Sequence, residues 1–145
     1  MIYHQERLDG VHPVLVMFIR ELGARLHAHG AHILIVCGWR GQADQHAAFL
    51  SGASKVDWPD GAHNRMIDND AGEKIPCSLA VDIAPYPYDA GRDRERLYLI
   101  AGYAVRLAEE RGVKLRIGAD WDGDFETLDQ KLADPWHYEI KVAEE

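Results

Sequence analysis

Only two cysteines, Cys37 and Cys77, occur in the 145 residues, one in an apolar run and the other beside a polar stretch. Two thiols build neither a disulfide framework nor a cysteine-rich zinc knuckle. Both are expected to fill core space, with a single bridge between them as the alternative. No stretch approaches the ~20 consecutive apolar residues of a membrane span. The start, MIYHQERLDGVHP, lacks a basic segment followed by an apolar one, so synthesis in the cytoplasm without a signal peptide is expected. Positive charge is scarce as well: 16 Lys and Arg against 24 Asp and Glu leave a formal net charge of −8. That deficit argues against a nucleic-acid surface, which needs a local excess of cations.

What is present suits one compact domain. With 47% hydrophobic and 28% charged residues the composition is that of a globular protein, and the length allows one core rather than two. Residues 1–145 are therefore expected to form a single, monomeric domain. HPVLVMFIRELGARLHAHG reads as a helix, with Pro13 in its first turn, Leu15, Phe18, Ile19, Leu22 and Leu26 on one face and Gly30 at its end. HILIVCGW reads as a buried strand and QADQHAAFLSG as a short helix. From Ser54 to Pro76 the polar, turn-rich composition predicts a long loop, of the kind that tends to be functional. CSLAVDIAPYPYD gives a strand that PYP should stop. RDRERLYLIAGYAVRLAEERGV gives a second long helix with Leu97, Ile100, Ala104, Leu107 and Ala108 inward, ended by Gly112. KLRIG and WHYEIKV supply two more strands around an acidic loop. The order predicts an α+β fold with a small antiparallel sheet flanked by helices.

Strand alternation gives the first chemical clue. Leu79, Val81 and Ile83 share one face of their strand, leaving Asp82 on the other. In the last strand Trp136, Tyr138, Ile140 and Val142 share a face, opposite His137, Glu139 and Lys141. Two strands of one sheet can thus present Asp82 and His137 to the same side. A catalytic zinc takes three His or carboxylate ligands and keeps a position open. His63, in the loop leading to the Asp82 strand, is the candidate for the third. Read singly, an aspartate near a strand end serves equally well as a cap, and a terminal-strand histidine as a half-exposed bystander. His46 lies inside a predicted helix, and His27, His29 and His32 sit at a helix end where imidazolium is tolerated.

The segments CGWRGQADQ, GAHN, SLAVDIAPYP and DPWHYEI occur in that order and cover most of the chain from Cys37 onward. Together they resemble the zinc peptidases of bacterial cell walls. That family includes D-alanyl-D-alanine carboxypeptidases and phage L-alanyl-D-glutamate endolysins, and shares its fold with the hedgehog signalling domain. APYP and GADWDGD resemble the endolysin branch in particular. The resemblance implies a hedgehog/DD-peptidase-like fold and one zinc ion held by His63, Asp82 and His137. It further implies Asp134 as the catalytic acid and base, and Arg40 beside the substrate carbonyl. Departures are Gly61 and Ser78, where the family has Ser and Gly, and the nineteen-residue step from His63 to Asp82, longer than the family pattern.

The implied activity is hydrolysis of peptidoglycan stem peptides, by an L-alanyl-D-glutamate endopeptidase reaching the wall once the membrane is breached. The alternatives are a D-Ala-D-Ala carboxypeptidase or dipeptidase, and a non-catalytic zinc-binding module. Gln45 is expected to support Arg40 or the substrate, and Glu139 to stand behind His137. Without the resemblance, Arg40 reads as a surface salt-bridge partner. Asp120, Asp122 and Asp124 alternate like calcium ligands, but the glycine is misplaced for an EF-hand and Lys131 stands where its closing glutamate would be. A looser calcium site and a solvated acidic loop both remain open there.

Overall fold

The computed structural model, which describes residues 1–128, 130 and 133–143, has three helices interspersed among seven strands within those residues. In order they are β1 (Ile2–Tyr3), α1 (Pro13–Ala28), β2 (His32–Cys37), α2 (Gln42–Ser51), β3 (Met66–Asp68), β4 (Lys74–Pro76), β5 (Ala80–Tyr86), α3 (Arg94–Arg111), β6 (Leu115–Ile117) and β7 (His137–Ile140). Short 3-10 turns occupy Gln5–Leu8 and Ala62–Asn64. The fold is α+β, as the sequence predicts. Among the described residues no helix is long and apolar enough to cross a membrane.

The two long helices form for legible reasons. Pro13 sits at the first position of α1, where its missing N–H has no intrahelical partner to lose, and the His12 ring accepts a bond from the Val14 amide. Gly112 closes α3 in a left-handed conformation that glycine adopts without strain. All ten residues expected to face inward from these helices are buried. All but Leu97 pack with Ile33, Ile35, Val81, Ile83, Tyr138 and Ile140 of the sheet into one hydrophobic cluster.

The main sheet has the order β1-β2-β5-β7-β6. It is antiparallel except at one edge, where β1 runs parallel to β2 through Ile2 opposite Ile33 and Tyr3 opposite Leu34. Two residues carry too little periodicity to announce that strand. β5 does end within PYP, at Tyr86 before Pro87, but it runs through Pro85 first. β7 pairs with β5 only from Ala80 to Asp82, so Pro85 lies where β5 has no neighbour on that side, the setting in which sheets accept proline. The polar stretch from Ser54 to Pro76 is not all loop. Met66, Ile67 and Asp68 pair with Pro76, Ile75 and Lys74 in a separate hairpin. Its side chains are mostly exposed, so no buried alternation betrays it.

Register places the functional face. Val81, Tyr138 and Ile117 lie in one cross-strand row and point into the core; the neighbouring row sets Asp82 opposite His137 on the other face. Leu22 is fully buried at the centre of the helix-to-sheet packing. Leu22→Ala should lower unfolding free energy by about 2–5 kcal/mol, measured by urea denaturation; a loss below about 1 kcal/mol would mean this layer does not hold the sheet.

Candidate active site

Asp82 stands between two imidazoles. Its Oδ1 is 3.2 Å from His137 Nδ1 and 3.4 Å from His63 Nε2, and the two rings meet edge to face at 5.2 Å. Each ring is turned by its other nitrogen. His63 Nδ1 lies 2.8 Å from the Gly38 carbonyl, which only accepts, so that nitrogen carries the proton and Nε2 is left toward Asp82. His137 Nε2 lies 3.0 Å from Glu139 Oε1, which in turn is within 3.8 Å of the Arg116 guanidinium. Glu139 thus fixes the proton on Nε2 and leaves Nδ1 toward Asp82.

The His63 segment is pinned although it belongs to no regular strand. Asn64, almost wholly buried, donates to the Arg40 carbonyl at 2.9 Å and to Gln45 Oε1 at 3.1 Å. Its own Oδ1 accepts from the Gly61 amide. The Arg40 amide donates to the His63 carbonyl, and the Leu79 amide to that of Ala62. The β3–β4 hairpin occupies the extra length between His63 and Asp82 and leaves the turn seated. Asn64 escaped the sequence reading; its adjacency to His63 was the available signal.

Arg40 is not a surface salt-bridge residue. Its Nη1 donates to Gln45 Oε1 at 3.1 Å, and its Nη2 lies 3.7 Å from Asp82 Oδ2 and 3.5 Å from Cys37 Sγ. Gln45 is buried on α2 and also donates to Ser54 Oγ. Asp134 begins the turn into β7: the His137 amide donates to its carbonyl, while its own amide donates to Gly118. A Cβ on Gly118 would lie 2.0 Å from the Asp134 oxygen, so only glycine permits this approach. Donor atoms of Asp82, Asp134 and His137 all lie within 4.8 Å of one another. The structure therefore gathers Arg40, Gln45, His63, Asp82, Asp134, His137 and Glu139 into one region. His46 stays apart, exposed and paired with Asp57 at 3.0 Å.

Two further residues at the centre were not foreseen. Cys37 was expected in the core with Cys77; Cys77 is buried, but Cys37 is half-buried and faces His63 and Asp82. The Trp121 ring lies 5.2 Å from the His137 ring and carries the Arg116 guanidinium 4.7 Å over its face.

Charge compensation sets the protonation states of the metal-free centre. Burial works against the charged forms of His63, His137 and Asp82, but their mutual hydrogen bonds outweigh it. His63 is pushed up to about 10, His137 is raised, and Asp82 is driven well below the usual carboxylate range. Asp134 moves the other way: burial and the Asp82 charge raise it. At the acidic loop, carboxylate oxygens of Asp120, Asp122 and Asp124 come within 4.8 Å of one another, and Asp120 Oδ1 is buried without a hydrogen bond among the described residues. Lys131 lies outside the described residues.

In kind, two imidazoles and a carboxylate suit a zinc ion. Bonds of about 2.0–2.1 Å to nitrogen and oxygen in a tetrahedron separate the donors by roughly 3.3 Å, and the two separations at Asp82 Oδ1 are 3.2 and 3.4 Å; the donor atoms fall in two groups that share Asp82, one with Cys37 and His63, the other with Asp134 and His137. A buried carboxylate and two imidazoles beside a guanidinium and a second, raised carboxylate have the make-up of a hydrolytic centre. The model of the phage L-alanyl-D-glutamate peptidase family matches residues 3–141, and the chain belongs to that family; it is a peptidase. Among solved structures it is similar to the L-Ala D-Glu endopeptidase ChiX of Serratia marcescens, at 23% identity and a TM-score of 0.68 over 97% of this chain and 90% of that one. That likeness shows the fold. No curated protein matches the sequence.

The shifts fix a pH dependence for the metal-free protein. His63 and His137, raised on folding, stabilise fully below their unfolded value of about 6.5, and that contribution is lost as pH rises through the folded values, near 10 for His63. Asp82, depressed on folding, contributes above about 3.9 and loses its contribution as pH falls further. The urea midpoint of chelator-treated protein should therefore fall between pH 7 and 10; a midpoint that rises over that range contradicts the ion-paired centre.

Proposed function

We propose that the chain cleaves the L-alanyl-D-glutamate bond of peptidoglycan stem peptides with a zinc ion held by His63 Nε2, Asp82 and His137 Nδ1. The supporting observation is the convergence of both imidazoles on one Asp82 oxygen at donor spacing, with Asp134 alongside. Bound zinc supplies Lewis acidity toward the scissile carbonyl and acidifies water. Asp134 takes the proton as water oxygen bonds to the carbonyl carbon, then passes it to the departing D-glutamate nitrogen as the C–N bond breaks. Its raised pKa moves it toward the range in which one group both accepts and donates. Arg40, held by Gln45 and Asp82, compensates the negative charge that develops on the carbonyl oxygen. Glu139 and the Gly38 carbonyl keep both imidazoles turned to the centre.

On this reading a monomeric single domain over residues 1–145 acts on the wall after the membrane is breached. Product analysis on purified peptidoglycan separates it from the carboxypeptidase alternative: new L-Ala carboxyl and D-Glu amino ends are expected, and released D-Ala would contradict the assignment. A non-catalytic zinc module has no use for Asp134 or Arg40. Calcium at Asp120, Asp122 and Asp124 is a separate matter, tested by calorimetric titration of the zinc-loaded protein with calcium.

His137→Ala should abolish tight zinc binding in elemental analysis. Asp134→Ala should keep stoichiometric zinc and lose hydrolysis by about 10²–10⁴-fold. Full activity in the Asp134 variant would rule out the proton transfer assigned to it.

A further inference from the structure

Cys37 ends β2 directly opposite Asp82, which is itself opposite His137 on β7. Partners across an antiparallel ladder point to the same face. Three adjacent strands therefore carry a thiol, a carboxylate and an imidazole in one row. A regular ladder would not produce that row. Ile35 pairs with Ile83, and the next step would set Val36 opposite Asp82; instead the register shifts between Ile35 and Cys37, so Cys37 takes the place and Val36 is left out, 43% exposed. Bulges re-aim side chains and concentrate beside functional sites.

The surroundings suit a donor sulfur. Cys37 Sγ, a ring nitrogen of His63 and a carboxylate oxygen of Asp82 lie within 4.8 Å of one another. Arg40 Nη2, 3.5 Å from the sulfur, supplies a cation beside a thiolate. The hydrolytic scheme leaves this thiol without a task.

We propose that Cys37 is a fourth protein donor to the metal, so that the loaded, substrate-free protein holds its ion with two imidazoles, a carboxylate and a thiolate. The inference rests on the His63, Asp82 and His137 centre proposed above. With a metal–sulfur bond of about 2.3 Å, the sulfur must stand roughly 3.6 Å from a nitrogen donor; it already lies within 4.8 Å of the His63 and Asp82 donors, and joining His137 on one ion requires the side chains on either side of Asp82 to turn inward. Catalytic centres keep a coordination position open and structural ones are closed by four protein donors. A thiolate here closes the resting centre, and substrate must displace the sulfur or add beside it. It also tilts preference toward thiophilic ions.

Cobalt(II), added to the metal-free full chain under reducing conditions, reads the donor set apart from activity. Thiolate coordination gives an intense near-ultraviolet charge-transfer band, whereas nitrogen and oxygen donors give only weak visible bands. The band is expected in the wild type, lost in Cys37→Ser and retained in Cys77→Ala. Should Cys37→Ser fail to fold, wild type and Cys77→Ala still decide, because Cys37 is then the sole thiol. Stoichiometric cobalt with visible bands alone, or a band lost in Cys77→Ala, overturns the thiolate donor and leaves the His63, Asp82 and His137 centre standing. No cobalt bound at all overturns that centre as well.

Discussion

The buried carboxylate of Asp82 is the constraint on which the rest of the site depends. An anion in that setting is expensive unless charges and donors surround it, and four side chains do so: His63, His137, Arg40 and, across the ladder, Cys37. They come from three segments, Cys37 and Arg40 sharing the one that leaves β2. The sheet must hold β2, β5 and β7 in one register, because a slip of one residue would turn Asp82 or His137 into the core and bring Val81 or Tyr138 out.

The two faces of the sheet divide the work accordingly. On one, α1 and α3 bury an almost wholly apolar cluster that fixes the strands. On the other, the turn at Ala62–Asn64 and the segment after β6 bring His63, Trp121 and Asp134 over the row that β2, β5 and β7 present. Loops hold such positions through hydrogen bonds of their own: Asn64 bonds to Arg40 and Gln45, and the Asp134 amide donates to the Gly118 carbonyl. The hairpin between His63 and Asp82 is accommodated because both of its ends are fixed before it begins and after it closes.

Much of this was legible in the sequence where periodicity and chemistry agree. Both long helices, their inward residues and the facing of Asp82 and His137 follow from spacing alone. His63 was singled out from its loop and neighbours, and the structure brings it to Asp82. Illegible features share a physical reason, in that they break period or lack it. Cys37 follows Ile33 and Ile35 at even spacing and so reads as core, but one bulge moves it to the opposite face. The β3–β4 hairpin is too exposed to alternate, β1 is too short, and Pro85 is tolerated because β7 ends before it. Asn64 acts through bonds to residues nineteen and twenty-four positions away, which no local pattern encodes.

The most direct measurement is an anomalous difference map at the zinc absorption edge from crystals of the zinc-loaded protein. One peak is expected within bonding distance of His63 Nε2, an Asp82 oxygen and His137 Nδ1. A peak placed elsewhere, for instance at His46 and Asp57, or ligation through His63 Nδ1, would contradict a centre organised by Asp82.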